Sequence, residues 1–351
     1  MSTLTRRPDA GPGPRAEKRR DPWFDNAKML LVTLVVVGHS WTLLPETALN
    51  MAVYDFLYLW HVPAFVMVTG YLSRSFTYSR RNLDRLLTTV LVPYLVFEAA
   101  IAAFRVYVGG EELDLLFADP HWPMWYLAVL FLWRLVTPVL TSIPSRVAIA
   151  ATVTVSLLGG LTTGDVFDTA RAMGLLPFFT LGLLVRPEHL ELLRRPLVRL
   201  GSVAALLVAF GLAWMIDGAF ATEWLYWRSS YAELDTALVA GIAARLGLLL
   251  AGGLLAVAFL ALVPRSTRWF TRLGAATLVV YVFHGFAVKI AEYSGLRGWA
   301  DGYPALSLLL ATVAAVGVAL ALATPPVARR LNLFVDPVGS IRRRRREKVS
   351  T

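Results

Sequence analysis

A bundle of about ten membrane-spanning helices, with both termini cytoplasmic, is the fold class this sequence predicts. Three observations predict it. The chain has 351 residues, of which 57% are hydrophobic, and its mean hydropathy is +0.59. The apolar residues fall in runs of roughly 20, long enough to cross ~30 Å of hydrocarbon as helices and too continuous for barrel strands. Basic residues concentrate in alternate connections, the asymmetry that orients helices in a bilayer.

The elements follow in order. Residues 1–22 read as a disordered basic cytoplasmic tail, with Arg6, Arg7, Lys18, Arg19, Arg20 and the run Gly11-Pro12-Gly13-Pro14. Nothing there offers an apolar face to bury. Residues 23–324 form one transmembrane domain. Its predicted spans are 27–44, 52–72, 85–108, 123–141, 146–163, 170–185, 197–216, 236–263, 272–292 and 304–324. Charge checks the count. The connections after the second, sixth and eighth spans carry Arg74, Arg80, Arg81 and Arg85, then Arg186, Arg194, Arg195 and Arg199, then Arg265, Arg268 and Arg272. The turn before the fifth span has Arg146. The opposite connections hold only Arg228 and Arg297. Residues 325–351 form a second basic cytoplasmic tail, whose Arg342 to Arg346 run suits anionic lipid rather than nucleic acid. Trp122, Trp125, Trp224, Tyr226, Trp227 and Tyr231 gather near span ends and read mainly as an interfacial belt. Neither an internal repeat nor broken, inverted halves are visible.

Composition excludes several chemistries. The chain contains no cysteine, so disulfides, thiolate metal sites and acyl-cysteine intermediates are ruled out. Its five histidines are scattered, with no metal-ligand spacing. The net charge of +10 sits in tails and alternate loops, a topological pattern that argues against nucleic-acid binding.

Against this apolar background the ionisable residues inside spans stand out, because such groups are costly in hydrocarbon. His39, His61 and His284 are three such imidazoles. Lys28 and His39 are eleven residues apart, so they share nearly one helix face and lie about 16 Å apart along the axis. Asp25 falls near the same stripe. Lys28 fits a lipid-snorkelling role as well as a binding role. His61 has Pro63 beside it, which removes a backbone donor and can open the helix. It fits acceptor positioning, a second proton transfer or a bond to a neighbouring helix. Thr277, Tyr281 and His284 recur at helical spacing and predict a polar stripe on one cavity. Glu98, Arg105, Arg134 and Arg245 read as pairs holding helices together, Glu98 with an arginine. Lys289 and Glu292 read as a surface pair. Trp125 and Tyr126 could stack on a sugar face or serve the belt.

A resemblance sharpens these readings. Asp25-Asn26-Ala27-Lys28, the apolar run to Val37 and Gly38-His39 resemble the opening of the acyltransferase 3 family of membrane enzymes, closest to its fucose 4-O-acetylase-like branch. Trp60-His61-Val62-Pro63-Ala64-Phe65 and Gly70-Tyr71 resemble the family's second span, with Thr69 in place of the usual Ser. Arg81 and Arg85 before Pro93-Tyr94 resemble the basic approach to its third span. Trp125-Tyr126-Leu127, Leu176-Pro177-Phe178-Phe179 with Gly182, and Gly274, Thr277-Leu278, Tyr281 and His284 follow in order. Lys28 stands where much of the family has Arg, so a forked contact becomes a point charge.

The resemblance implies transfer of an acyl group, commonly acetyl, from cytoplasmic acyl-CoA to a hydroxyl of a carbohydrate or glycolipid acceptor. It makes His39 the leading catalytic residue, with His61 a second candidate. It places Lys28, Arg81 and Arg85 on the donor side, and Asp25, Trp125, Tyr126, Tyr281 and His284 become substrate-binding candidates. Acetyl-CoA is then a substrate rather than a tightly held cofactor, and no metal is implied. The chemistry is coherent. Arg81 and Arg85, one helical turn apart, could clamp phosphate with Lys28, and a neutral imidazole could take the acceptor's proton. Direct attack and an acyl-imidazole intermediate both remain open. The competing class is a transporter or flippase whose histidines relay protons. A membrane scaffold is the third.

Overall fold

The computed structural model describes residues 21–112, 117–162, 166–216 and 221–340. Among these residues there are helices and no strands. The long helices are α1 (Pro22–Trp41), α2 (Ala48–Ser73), α3 (Arg80–Tyr107), α4 (Trp125–Ser142), α5 (Ser145–Leu158), α6 (Thr169–Leu184), α7 (Pro196–Met215), α8 (Leu238–Leu262), α9 (Thr277–Tyr293) and α10 (Pro304–Ala323). Six of them, α2, α3, α4, α7, α8 and α10, are long and apolar enough to cross a bilayer. The other four are shorter or more polar. Residues 1–20, most of the expected N-terminal tail, and the Arg342 to Arg346 run lie outside the described residues.

Local chemistry sets the boundaries. Asp21 caps α1 by accepting from Trp23 N at 2.9 Å, and Pro22 occupies the first turn, where its missing N–H costs nothing. Thr47 and Ser79 cap α2 and α3 the same way. The third helix is wound as a π-helix over Leu87–Leu91. Within the expected second tail, Pro325–Val335 forms a further helix, α11, and Val335 is fully buried.

The second helix is the hub, packed on α1, α6, α7 and α8. Its contact with α6 is backbone to backbone. A Cβ on Gly70 would stand 2.1 Å from Phe179 O, and one on Gly182 would stand 2.0 Å from Met67 O. Small residues at such crossings let two helices approach closely. Pro63 leaves the carbonyl of Leu59 without its usual donor. That carbonyl meets α8 at Gly252, where a Cβ would lie 2.8 Å away. The opening at Pro63 thus faces a neighbouring helix rather than a polar cavity. By contrast only Ser202 of α7 is buried.

The expected aromatic belt is largely absent. Trp125, Trp224, Trp227 and Tyr231 are buried. Tyr231 lies against Gly160 and Gly241, and its hydroxyl donates to Leu157 O at 2.9 Å. Residues 221–237, ahead of α8, fold back into the bundle, which a linear reading cannot foresee.

Candidate functional site

Three cavities lie in line along α1. At its Lys28 end is a cavity of about 280 Å³ lined by Lys28, Thr69, Tyr126, Arg134, Thr277 and Tyr281 among others. At its His39 end is a larger one of about 420 Å³, walled by His39, Tyr54, Tyr58, Trp122, Trp125, Arg171 and Trp227. Between them is a waist of about 30 Å³, which shares His39, Val62 and Trp125 with the larger cavity and Phe65, Tyr126 and Tyr281 with the other. The face shared by Lys28 and His39 is the wall all three have in common.

The histidines form an ordered chain. His284 Nδ1 lies 2.5 Å from Tyr281 O, and His284 Nε2 lies 2.8 Å from His39 Nδ1. A carbonyl only accepts, so in a neutral ring His284 carries its proton on Nδ1. Its Nε2 then accepts the Nδ1 proton of His39. The His39 Nε2 is left with a lone pair, on a ring that borders both the waist and the larger cavity. Trp122 packs on that ring with centroids 4.4 Å apart. His61 is a second orphaned acceptor. Its Nδ1 bonds Leu57 O at 2.8 Å, and its buried Nε2, with no hydrogen-bond partner in the described residues, belongs to the wall of the waist.

The loop that carries Trp122 is pinned on several sides. Glu98 accepts from both the backbone N and the ring Nδ1 of His121. Tyr94 donates to Phe117 O, and Tyr281 donates to Pro123 O. Glu98 thus holds His121 rather than the arginine expected of it. Arg105 pairs with Glu111, Arg245 donates to the carbonyls of Ser156 and Ser229, and Arg134 lines the Lys28 cavity. Lys289 does pair with Glu292 at 3.0 Å, but on the wall of the large cavity.

The other sequence candidates divide. Tyr126 and Tyr281 line the waist and the Lys28 cavity, and Trp125 lines the waist and the large cavity. Asp25 is a buried partner of Lys28 at 2.7 Å and lines none of the three cavities. His284 also lines none of them; it lies behind His39. Arg81 and Arg85 are exposed on α3 and are not brought to the Lys28 cavity; Arg134 is its second cation. Sequence reasoning missed Arg171, whose guanidinium lies over Trp125, bonds Tyr226 O at 3.0 Å and pairs with Asp168 at 3.2 Å. The signal was there: Arg171 is a basic residue at the end of the bundle that is poor in them.

A family model described as an acyltransferase domain matches residues 21–324. The chain belongs to the acyltransferase 3 family. The match spans every long helix from α1 to α10, so this acyltransferase is a multi-pass membrane protein whose cavities all lie within the family domain. No curated protein and no solved structure matches the chain.

Proposed function

We propose that the protein is an O-acyltransferase that moves an acyl group, in its simplest form acetyl, from acyl-CoA to a hydroxyl of a carbohydrate or glycosylated acceptor, with His39 as general base. The observation that carries this reading is the line of cavities joining Lys28 to a His39 ring whose Nε2 is kept unprotonated by His284. The ten helices α1–α10 then all span the cytoplasmic membrane with both termini inside, which puts Lys28 at the cytoplasmic face.

Donor phosphate binds at that face beside Lys28 and Arg134, with Arg81 and Arg85 on the approach. The thioester arm runs through the 280 Å³ cavity toward the waist. The waist has room for about one water, so passage of the arm requires the Phe65 or Trp125 side chain to swing aside. The acceptor enters the larger cavity, where aromatic rings suit sugar faces; the likeness to the fucose acetylase branch supports a sugar. His39 Nε2 takes the hydroxyl proton as the oxygen attacks the thioester carbon. The C–S bond then breaks, and the proton passes from His39 to the departing CoA thiolate. In the acyl-imidazole route the same lone pair attacks first.

Purified protein given labelled acetyl-CoA and a mixed glycan pool tests the reading. Label transfer should be present in wild type and lost in His39→Ala, while a distant control such as Leu207→Ala retains it. Proton-coupled glycan uptake without label transfer would overturn it in favour of a carrier. Rapid-quench trapping of acylated His39 separates the two chemical routes.

A further inference from the structure

The large cavity collects charge in a way that neither topology nor packing requires. The His39 end of the bundle is rich in carboxylates, among them Glu46, Glu112, Asp119, Glu223, Glu233 and Asp301. Among the described residues, its basic side chains are Arg105, Arg171, Arg228, Lys289 and Arg297, together with Arg245. The first five all line the 420 Å³ cavity. The sixth, Arg245, is buried beneath the same wall, with its guanidinium 5.8 Å from the Trp227 ring centre. Scattered placement would put some of these cations on the rim or facing headgroups. Instead they converge on one site.

Among the described residues, Glu292 is the one carboxylate that lines the cavity. Glu111 holds Arg105 and Lys289, Asp168 holds Arg171, and Asp119 lies 3.4 Å from Arg228. These partners fix the cations in position and leave the cationic groups, rather than the carboxylates, at the cavity surface. Arg171 lies deep, over Trp125, whereas Arg228 and Arg297 are more exposed. A concave wall that carries five cationic groups against one carboxylate concentrates anionic ligands. Trp122, Trp125 and Trp227 supply flat apolar faces in the same cavity.

We infer that the acceptor is an acidic carbohydrate, its ring laid on the tryptophans and its anionic group, a carboxylate or a phosphate, held by the arginines. The inference rests on the acyl-transfer reading for the reaction, but not for the binding.

Binding is therefore measured on the full-length His39→Ala protein in nanodiscs, by equilibrium dialysis of matched oligosaccharides. One pair is a uronate-bearing glycan and its carboxyl-reduced form. The other is a glycosyl phosphate and its dephosphorylated form. A charge-assisted bond contributes on the order of tenfold or more in affinity, so at least one acidic member should bind about tenfold tighter than its neutral partner. That ratio should shrink with salt. It should collapse toward one in the double variant Arg228→Gln, Arg297→Gln and survive in Arg228→Lys, Arg297→Lys. Whichever pair shows the ratio identifies the anion. Equal binding of acidic and neutral members, or no binding of either, overturns the inference. So does a double variant, made in the same His39→Ala protein, that leaves the ratio intact. Tight acidic binding in a wild-type protein that transfers no label would keep this inference and overturn the proposed reaction.

Discussion

Replacing His284 with alanine removes the acceptor for the His39 Nδ1 proton, a buried contact of 2.8 Å. Before transfer that bond joins two neutral rings. Once His39 has taken the acceptor's proton, it joins an imidazolium to a neutral nitrogen, and such charge-assisted bonds contribute about 1.5–3 kcal/mol. The neutral bond already contributes about 0.5–1.5 kcal/mol before transfer, so the gain on reaching the transition state is about 1–1.5 kcal/mol, which predicts a fall in kcat of roughly 5- to 13-fold at about 1.36 kcal/mol per decade. The KM for acyl-CoA should barely move, because His284 lines none of the three cavities. Single-turnover transfer of labelled acetyl from CoA gives both quantities. The variant His284→Gln offers a side-chain carbonyl to the same proton and should recover much of the loss. A His284→Ala protein that melts normally and keeps kcat within twofold of wild type would refute the tautomer argument. A Gln variant no better than Ala in kcat, at equal thermal stability, would also refute it.

Further outcomes are expected. Lys28→Ala should raise the KM for acyl-CoA at least about tenfold, the scale of a lost charge-assisted contact, with the acceptor KM unchanged; Lys28→Arg should restore it, as steady-state kinetics will show. Val35 lines the waist and neither larger cavity, so Val35→Leu, one methylene larger, should narrow the waist and slow transfer in the label assay while glycan binding persists in dialysis. Gly70→Ala drives a methyl into the Phe179 carbonyl. Such overpacking costs about 1–3 kcal/mol or more and should lower the melting temperature in detergent, while Gly201→Ala, with open space around it, should not. Glu111 gives a pH test. Burial pushes its carboxyl up, but hydrogen bonds from Arg105, Tyr293 and Lys289 outweigh that and bring it down to about 2. Because the folded value is depressed, the stabilisation is complete above the ordinary value of 4.5 and is lost as pH falls toward 2. Hydrogen exchange at residues 108–112 should hold steady from pH 8 to 5 once corrected for intrinsic rates, and rise below about 4. Glu111→Gln should show the fast exchange at pH 7.

The sequence made some of the site legible and concealed the rest for definable reasons. Period and hydropathy located the helices, and the eleven-residue spacing puts Lys28 and His39 on the face of α1 along which the cavities lie. The stripe of Thr277 and Tyr281 was readable in the same way. Helical period says which way a side chain points, but not what it meets. The contact between His39 and His284 joins residues 245 positions apart, and nothing local to either announces it. His284 was therefore read as a substrate-binding candidate; it lines none of the three cavities and lies behind His39. Arg81 and Arg85 had the right spacing and charge, yet the turn of α3 leaves them exposed. Trp122 and Trp227 were read mainly as lipid anchors because their connections look like surface loops, whereas Trp122 packs on the His39 ring and Trp227 is buried. Arg171 was visible only to a count of basic residues at the end where such residues are scarce.

The narrowness of the waist matters beyond catalysis. Two vestibules reach toward each other from opposite ends of α1, and a wide connection between them would be an open path for ions through the bundle. A gap of about 30 Å³, where Val62, Phe65 and Tyr126 close in beside His39 and His61, leaves no continuous water column between them. On the proposed reaction, the acyl group is then handed across without a pore having to open.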